Sequence, residues 1–417
     1  MSHDCNTTQT TTRMRNTFIF LILLTAQCMQ AANCIRSPRF RSLTSIVNGD
    51  WTNRPVLTMG TDDVMTVGFD ELSHNFHRLT CHLEHREWNW TPSDGLFDSE
   101  WLEGFNDFPI EEYQNSINTT VLYTHYELQI PNDKCQLKTS GNYRLTIIDE
   151  DEGGEEVMHV DFYVVQPLVS ISLSATTDTD AGHNLSQQQL SMSMGYGPLS
   201  ITNDEEQLHT VVMQNWRDDN TRSDVRPTSR YGNGMEWMHC RDLIFEAGNE
   251  YHKFEVLDVD HPTMGIDRIE WDGDNYQAYP LTAVPRRNYL TDVDADGAFC
   301  IRNSDRSESD YTCDYVWVNY SLQAPYEGEL YVGGQWATDS DREHYRMSYD
   351  GEQGLYHLRL LQKQGYYSYH FLTADGRIPP SEGSFFQTQN RYQALVYYRA
   401  AGGRCWQLVG YRAIDFR

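Results

Sequence analysis

Five consecutive residues, Cys81-His82-Leu83-Glu84-His85, include three side chains of the kinds that ligate zinc. The alternation of apolar residues around them predicts a β-strand. Because successive side chains of a strand point to opposite faces, Cys81 and His85 point one way and His82 the other. No second cluster of such ligands is found in the sequence. We interpret the run as a half-buried strand, with a metal site as the alternative.

A second candidate for metal chemistry is the run Asp292-Val-Asp294-Ala-Asp296-Gly297, whose acidic spacing matches the start of a calcium-binding loop. The twelfth position of such a loop would be Asn303, where calcium loops carry a bidentate Glu. A β-turn that ends in Asp-Gly accounts for the same residues. Asp292, Asp294 and Asp296 are therefore the metal candidates, and no other cofactor is expected.

Familiar catalytic signatures are missing from the sequence, which contains no GxSxG, GxxxxGK, GxGxxG or HExxH motif. The 60 acidic residues leave a hydrolase with a carboxylate pair open, although no pair stands out. Tryptophans could stack on sugars or pack in cores. Those considered are Trp88, Trp90, Trp101, Trp216, Trp237, Trp271, Trp317, Trp336 and Trp406.

The elements that would position these residues are β-strands, and the segment 116–143 shows this most clearly. Apolar residues alternate up to Ile130, Pro131-Asn132 stops the run, and alternation resumes after Ser140-Gly141-Asn142-Tyr143. This pattern predicts two strands and a connection. A Gly-x-Tyr sequence at a strand start is typical of the tyrosine corner of immunoglobulin-like sandwiches. Gly365-Tyr366-Tyr367 repeats the cue.

Short strand-like runs separated by Gly-rich turns continue along the chain and predict an all-β protein of tandem immunoglobulin-like or early-set β-sandwich modules. We expect a first β-sandwich over residues 33–166, a middle β domain over 167–307 and a C-terminal early-set-like sandwich over 308–417.

The N-terminal residues 1–32 have the features of a secretory signal peptide. Arg13 and Arg15 precede the apolar run Phe18–Leu24, and small residues follow. Cys28 and Cys34 raise the option of a lipoprotein, but neither follows a convincing lipobox. We therefore expect an exported protein, with lipid anchoring as an alternative.

Export makes disulfides possible, and seven cysteines remain after the signal segment. Cys300 and Cys313 flank a polar stretch between two strand-like runs, so they could close a hairpin as a disulfide. The formal charge of -28 argues against nucleic acid and anionic membrane surfaces as partners.

Several blocks of the sequence resemble the type IX secretion system plug proteins, whose N-terminal domain was formerly a domain of unknown function. The matching residues in the first module are Trp90-Thr-Pro-Ser-Asp94, Gly104-Phe105, Pro109-Ile110, Ser116, Asn118-Thr119, Tyr123-Thr-His-Tyr126, Pro131-Asn132 and Ser140-Gly-Asn-Tyr143. Those further along are Gln214-Asn215, Asn249-Glu250, Tyr289, Lys363-Gln-Gly-Tyr-Tyr367, Glu382-Gly-Ser-Phe-Phe386, Thr388, Asn390 and Tyr392. The sequence departs from the family pattern at His82–His85 and at Asp294–Gly297.

This resemblance implies a protein without enzymatic activity. Plug proteins are periplasmic, associate with the giant outer-membrane β-barrel translocon of the secretion system, and close its periplasmic opening when no cargo passes. The resemblance thus implies a gate subunit at the inner side of the outer membrane, with no small-molecule substrate and no direct membrane insertion. The exposed loop positions Trp88, Asn89 and Phe108 are the expected contacts with the translocon.

The C-terminal module separately resembles early-set domains that accompany starch-acting enzymes and glycogen sensors. The residues that carry this likeness are Tyr331-Val-Gly-Gly-Gln-Trp336, Met347, Gly354-Leu-Tyr356 and Gly365-Tyr-Tyr-Ser-Tyr369. A carbohydrate-binding periplasmic or surface protein is therefore the alternative function, although a shared fold does not fix a shared function.

Overall fold

The structure is a computed structural model and describes residues 33–305 and 308–417. The predicted signal peptide, residues 1–32, lies outside the described residues. The regular secondary structure of the described residues consists almost entirely of β-strands in packed sheets, which confirms the predicted all-β sandwich class.

Two sheets packed face to face form the first domain, residues 33–167. The spatial order of the first sheet is Cys34–Ile35, Glu155–Val165, Gly141–Asp149, Leu79–Arg86 and Asp107–Pro109, with Val56–Thr58 parallel to Glu155–Val165. The order of the second sheet is Phe40–Val47, Met65–Glu71, Thr124–Ile130 and Glu112–Asn115. A small ribbon pairs Leu102–Gly104 with Cys135–Leu137. Inward-facing residues such as Phe69, Leu83, Tyr126 and Leu145 form one apolar core.

The predicted tyrosine corner is present in the first domain and again further along the chain. The Tyr143 hydroxyl donates to the Thr139 carbonyl at 2.6 Å, and the Tyr367 hydroxyl donates to the Lys363 carbonyl at 2.6 Å. Glycine is required two residues before each tyrosine, because a Cβ at Gly141 would lie 2.4 Å from the His85 ring.

The second domain, residues 168–250 and 388–417, is also a sandwich. One sheet has the order Ser170–Thr176, Gln187–Gly195, Gly234–Trp237 and Ser229–Tyr231, and Ile244–Glu246 also pairs with Gln187–Gly195. The other has the order Thr221–Ser223, Leu208–Gln214, Asn390–Tyr398 and Gln407–Phe416. A short ribbon joins Asp178–Thr179 to Gly182–His183.

The inserted domain, residues 251–387, is the third sandwich. One sheet is centred on Gly365–Thr373, which pairs with His252–Val256, Phe299–Ile301 and Leu330–Gly333. The other has the order Ile266–Trp271, Tyr276–Pro280, Tyr315–Gln323, Leu355–Lys363 and Ser348–Asp350. Trp336, Met347 and Tyr369 lie in its core, so residues that carry the early-set likeness pack together.

The sheets depart from the predicted boundaries after residue 166. The last two strands, Asn390–Tyr398 and Gln407–Phe416, do not belong to a C-terminal module 308–417, because they pair with Leu208–Gln214 of the second domain. The early-set-like sandwich also begins before residue 308. It is therefore an insertion between two parts of the second domain, and the middle module 167–307 is not a unit of its own.

Helices are few and short. The α-helices are Asp98–Trp101, Asp204–Gln207 and Ser309–Thr312. The 3-10 turns are Glu150–Glu152, Asp218–Asn220, Arg241–Leu243 and Arg342–Tyr345. In the part of the chain that the structure describes, no helix has the length and apolar character needed to cross a bilayer.

Candidate functional site at the domain junctions

The junction between the first and second domains is apolar and aromatic. The strand Asn390–Tyr398 is buried on both faces, so its residues alternate between two cores. Ala394 and Val396 face the core of the second domain, whereas Leu395 and Tyr397 face the first domain. The residues of the shared cluster are Trp90, Tyr163, Val165, Val211, Met213, Trp216, Leu395, Tyr397, Trp406 and Leu408.

Polar contacts at the rim fix the orientation of this aromatic junction. The Tyr397 hydroxyl donates to the Asn142 side chain at 2.8 Å, directly beside the first tyrosine corner. Arg54 forms a two-bond ion pair with Asp218 of the second domain, with the shorter contact 2.7 Å long. Because apolar packing is non-directional, these bonds supply the geometric specificity that the cluster lacks.

The junction between the first and inserted domains is instead built on a buried charge pair. Lys363 Nζ lies 2.6 Å from Asp70 Oδ2, and both side chains are almost fully buried. The Tyr315 hydroxyl donates to the same carboxylate at 2.6 Å, and His125 Nδ1 lies 2.7 Å from its other oxygen. The Lys363 ammonium also lies 4.1 Å from the centre of the Tyr123 ring.

These partners decide the charge state of the buried groups. Burial by itself would raise the pKa of Asp70, but Lys363 and His125 outweigh burial and hold the pKa below its ordinary value. Burial and the adjacent Asp70 raise the pKa of Tyr315 well above its ordinary value, so its hydroxyl stays a donor. The carboxylate is thus charged and fully paired.

A second contact between the same two domains joins backbone groups to Asp314. Its carboxylate accepts hydrogen bonds from the Thr120 backbone and hydroxyl at 2.8 and 2.7 Å, and from the Val121 amide. The Tyr123 hydroxyl donates to the Cys313 carbonyl at 2.7 Å. Thr120, Val121 and Tyr123 belong to the segment 116–143, which therefore contacts the inserted domain rather than lying only within its own.

The two segments in which the chain enters and leaves the inserted domain lie side by side. These two crossings are joined by hydrogen bonds of polar residues. Thr388 donates to the Gly248 carbonyl at 2.8 Å, and the Asn249 side chain donates to the Glu382 carbonyl at 2.8 Å. The Asn390 side chain donates to the Ala247 carbonyl at 2.9 Å. Thr388, Asn390 and Glu382 are among the residues that carry the family resemblance.

Beside these crossings lies a cavity of about 580 Å³ between the second and inserted domains. Glu382 lies in its wall, where it accepts from the Phe371 amide at 3.0 Å and pairs with Arg286, and His252 lies 3.1 Å away. Burial, followed by the charge of Arg286, lowers the pKa of His252 well below its ordinary value, so the ring is neutral.

Three carboxyl groups near the crossings have pKa values above their ordinary range. Burial raises the pKa of Glu250 to about 6, although the Tyr289 hydroxyl donates to it. Burial likewise raises the pKa of Asp294 to about 6, and burial together with Asp294 raises that of Asp296 to about 8. At neutral pH, Asp296 therefore holds its proton in the folded protein.

The candidate calcium ligands Asp292, Asp294 and Asp296 do not form a ligand set within the described residues. Asp292 is exposed and lies 2.6 Å from Lys253 Nζ, while Asp294 accepts from the backbone amides of Tyr251 and Asp296. The turn interpretation of this run therefore fits the structure.

The predicted partner-binding residues lie in different environments. Phe108 belongs to the core of the first domain, and Trp88 stacks on His209 of the second domain with ring centres 3.9 Å apart. The prediction that both are exposed is wrong: Trp88 is half-buried by its packing on the next domain, whereas Phe108 lies on the paired strand Asp107–Pro109 with its side chain in the core. Asn89 is exposed and accepts from Thr91.

The predicted disulfide between Cys300 and Cys313 is not formed, and all seven cysteines of residues 33–305 and 308–417 are free thiols. The hairpin interpretation is wrong because the strand Phe299–Ile301 and the strand Tyr315–Gln323 belong to different sheets. The polar segment between them crosses from one sheet of the inserted domain to the other.

The Cys81 strand follows the predicted alternation. Cys81 is buried and donates to the Phe108 carbonyl, whereas His82 on the other face lies 2.7 Å from Asp107. His85 is buried against Ser93 at 2.7 Å, and burial lowers its pKa to about 4. These three residues do not converge as metal ligands among those described.

Most of the tryptophans that could serve as sugar platforms are structural. Six of the nine are buried: Trp90, Trp101, Trp216, Trp237, Trp336 and Trp406. Trp317 packs under the Arg359 guanidinium at 4.2 Å. Trp271 is 52% exposed, at the end of a strand on the sheet edge.

Sequence reasoning missed Asp70 and Tyr315, the centre of the charged junction. One signal was available, since Lys363 is among only four lysines in the chain and stands in a block that carries the family resemblance. Taken together, the fold and the three junctions define a multi-domain all-β protein in which buried polar groups join neighbouring domains.

Comparisons with known proteins agree with this class. Residues 40–166 match the family described as type 9 secretion system plug protein, first domain. This match confirms the resemblance of the sequence to the type 9 secretion system plug proteins, and it indicates a secretion-associated role in the cell envelope.

A solved structure shares the whole architecture. It is the crystal structure of a hypothetical protein from Parabacteroides merdae ATCC 43184 at 2.30 Å resolution, with 32% sequence identity and a TM-score of 0.88. The likeness covers 93% of this chain and 100% of that chain. Among curated proteins, none matches the sequence.

Proposed function

We propose that the protein is a non-enzymatic periplasmic plug that binds the outer-membrane translocon of the type 9 secretion system and closes its periplasmic opening. The observation that carries this proposal is the match of residues 40–166 to the first domain of plug proteins. The predicted signal peptide supports export to the periplasm.

The junctions support the mechanical part of the proposal. A plug must cover a wide water-filled opening with a surface that is already in place, because ordering it on binding would cost affinity. The aromatic cluster, the Asp70–Lys363 pair and the paired crossings each join two domains. Three sandwiches fastened in this way present one pre-organised body.

Surface residues of the first domain offer a probe for the contact. The strand Glu112–Asn115 is an edge strand with all four residues exposed, and Phe76 and Tyr113 stand beside each other with ring centres 4.9 Å apart. Their exposed fractions are 53% and 49%. Exposed aromatic pairs next to a free strand edge are typical of protein-binding surfaces.

The test is co-purification from gently solubilised envelopes of a strain that carries a type 9 secretion system, with the affinity-tagged full chain as bait. We expect the large outer-membrane barrel of the system to be recovered with the bait, and substitution of Phe76→Ala together with Tyr113→Ala to reduce that recovery at least about tenfold.

The matched control is Trp271→Ala, which removes an equally exposed aromatic from the inserted domain and is expected to leave recovery unchanged. Circular dichroism and the midpoint of thermal unfolding establish that each variant is folded. Failure to recover the barrel with the wild-type chain, in fractions where the barrel itself is solubilised, would contradict the proposed function.

A further inference from the structure

Three side chains of metal-ligating type converge at the edge of the junction between the first and inserted domains. His125 and Glu127 are two residues apart on the strand Thr124–Ile130 and share its outer face, and Asp310 lies on the helix Ser309–Thr312 of the inserted domain. Their ligand atoms all lie within 4.8 Å of one another.

His125 is already oriented as a metal ligand would be. Its Nδ1 lies 2.7 Å from Asp70 Oδ1, and Asp70 is itself held by Lys363 and Tyr315. A carboxylate that accepts from Nδ1 fixes the tautomer in which Nε2 carries a lone pair. This arrangement of carboxylate and histidine is the usual support behind a metal-bound imidazole.

Among the residues that the structure describes, no lysine or arginine side chain pairs with either carboxylate. Neither Glu127 nor Asp310 forms an ion pair or a side-chain hydrogen bond with another described residue, and Glu112 stands directly opposite Glu127 on the neighbouring strand. Like charges placed opposite each other destabilise a sheet.

Charge counting favours a divalent ion. Lys363 balances Asp70, so Glu127 and Asp310 leave two carboxylates facing the imidazole of His125. A second such group among the described residues, His77 with Asp149 and Asp151, differs because arginines already pair with its carboxylates. Arg39 bonds to Asp149, and Arg78 to Asp151.

We propose that Nε2 of His125 and the carboxylates of Glu127 and Asp310 bind one divalent transition-metal ion of the zinc class, which links the inserted domain to the first domain. An imidazole favours such an ion over calcium or magnesium, and two carboxylates with water complete a four-coordinate shell. The site bridges two domains and is independent of the proposed translocon contact.

The test is calorimetric titration of the full mature chain with zinc, calcium and magnesium chloride after chelator treatment and dialysis. We expect one equivalent of zinc to bind at neutral pH, with calcium and magnesium at least about tenfold weaker. Glu127→Gln and Asp310→Asn, which keep the side-chain shape, should each weaken zinc binding about tenfold or more.

The matched control is Asp151→Asn, which alters the arginine-neutralised group and should leave zinc affinity unchanged. Zinc-edge X-ray absorption of the loaded protein should show nitrogen and oxygen ligands at about 2.0–2.2 Å. Absence of zinc binding, equal affinity in Glu127→Gln and Asp310→Asn, or sulfur ligation by one of the free thiols would each overturn the proposal.

Discussion

The two junctions of the first domain differ in chemistry. Its contact with the second domain is an aromatic and aliphatic cluster that includes Trp216 and Leu395, whereas its contact with the inserted domain centres on the Asp70–Lys363 pair. Apolar packing tolerates small shifts, but a buried charge pair is stable only when every partner is present. The comparison indicates that the charged junction specifies the orientation of the inserted domain relative to the first domain. The apolar junction mainly contributes stability through buried apolar area.

The largest loss of stability is expected when only one partner of the buried charge pair is removed. Lys363→Met leaves the Asp70 carboxylate buried beside Tyr315 without its cation, which should lower the free energy of unfolding by about 3–5 kcal/mol. Denaturant titration followed by tryptophan fluorescence measures the loss. As a control, Lys363→Met combined with Asp70→Asn should lose less than Lys363→Met alone, and a single-variant loss below about 1 kcal/mol would contradict this description of the junction.

The apolar junction should respond differently. Leu395→Ala leaves a cavity between the first and second domains, and we expect a loss of about 2–4 kcal/mol in the same titration. The exposed Leu281 offers a control, since Leu281→Ala should change stability by no more than about 0.5 kcal/mol. Adding Val211→Ala to Leu395→Ala should increase the loss, in contrast to the partial rescue expected at the charged junction.

The chain crossings into the inserted domain differ from both junctions of the first domain, because the stability of the region around them should depend on pH. Burial and Asp294 raise the pKa of Asp296 from 3.8 to about 8, so the folded protein binds this proton more tightly than the unfolded chain. The resulting stability is fully present below about pH 4 and is lost as the pH rises through 8.

Asp296→Asn removes the ionisable group and with it the loss of stability at high pH. Asparagine also tolerates the positive φ of 50° at that position. We expect little difference from the wild type at pH 4, and a gain in the free energy of unfolding that grows with pH to about 3–5 kcal/mol at pH 8.5. Thermal unfolding across this pH range is the measurement. An equal gain at both pH values would show that Asp296 is not the titrating group.

The smallest effect is expected at the two tyrosine corners. Tyr143→Phe and Tyr367→Phe each remove one hydrogen bond to a backbone carbonyl, which should cost about 1 kcal/mol. Because each corner lies within one domain, neither change should alter contacts between domains. Small-angle scattering profiles identical to the wild type would agree with this, whereas an increased radius of gyration would contradict it.

Local features of the fold could be predicted from the sequence. Alternation around Tyr126 and Leu145 indicates strands, and Gly141 with Tyr143 indicates a corner whose geometry requires glycine. These predictions succeed because strand alternation and turn chemistry depend on near neighbours along the chain.

The insertion could not be predicted in the same way. The strand Asn390–Tyr398 has the pattern of any buried strand, and nothing within it specifies Leu208–Gln214 as its partner. Trp88 was assigned to the surface for a similar reason, because a loop aromatic has the same sequence pattern whether or not another domain covers it. The burial of Phe108 depends instead on strand pairing within the first domain, which its neighbours in the sequence do not specify. Likewise, His125 and Glu127 show their spacing in the sequence, but Asp310 joins them only through the domain contact.

Binding of the protein to the translocon is tested most directly by cross-linking in intact cells, with a photo-reactive amino acid at position 113 or, for comparison, at position 271. We expect position 113 on the first domain to yield a cross-link to the outer-membrane barrel of the type 9 secretion system, and position 271 to yield none. Cross-links from neither position, together with no recovery of the barrel by the wild-type chain, would contradict a plug that acts by binding the translocon.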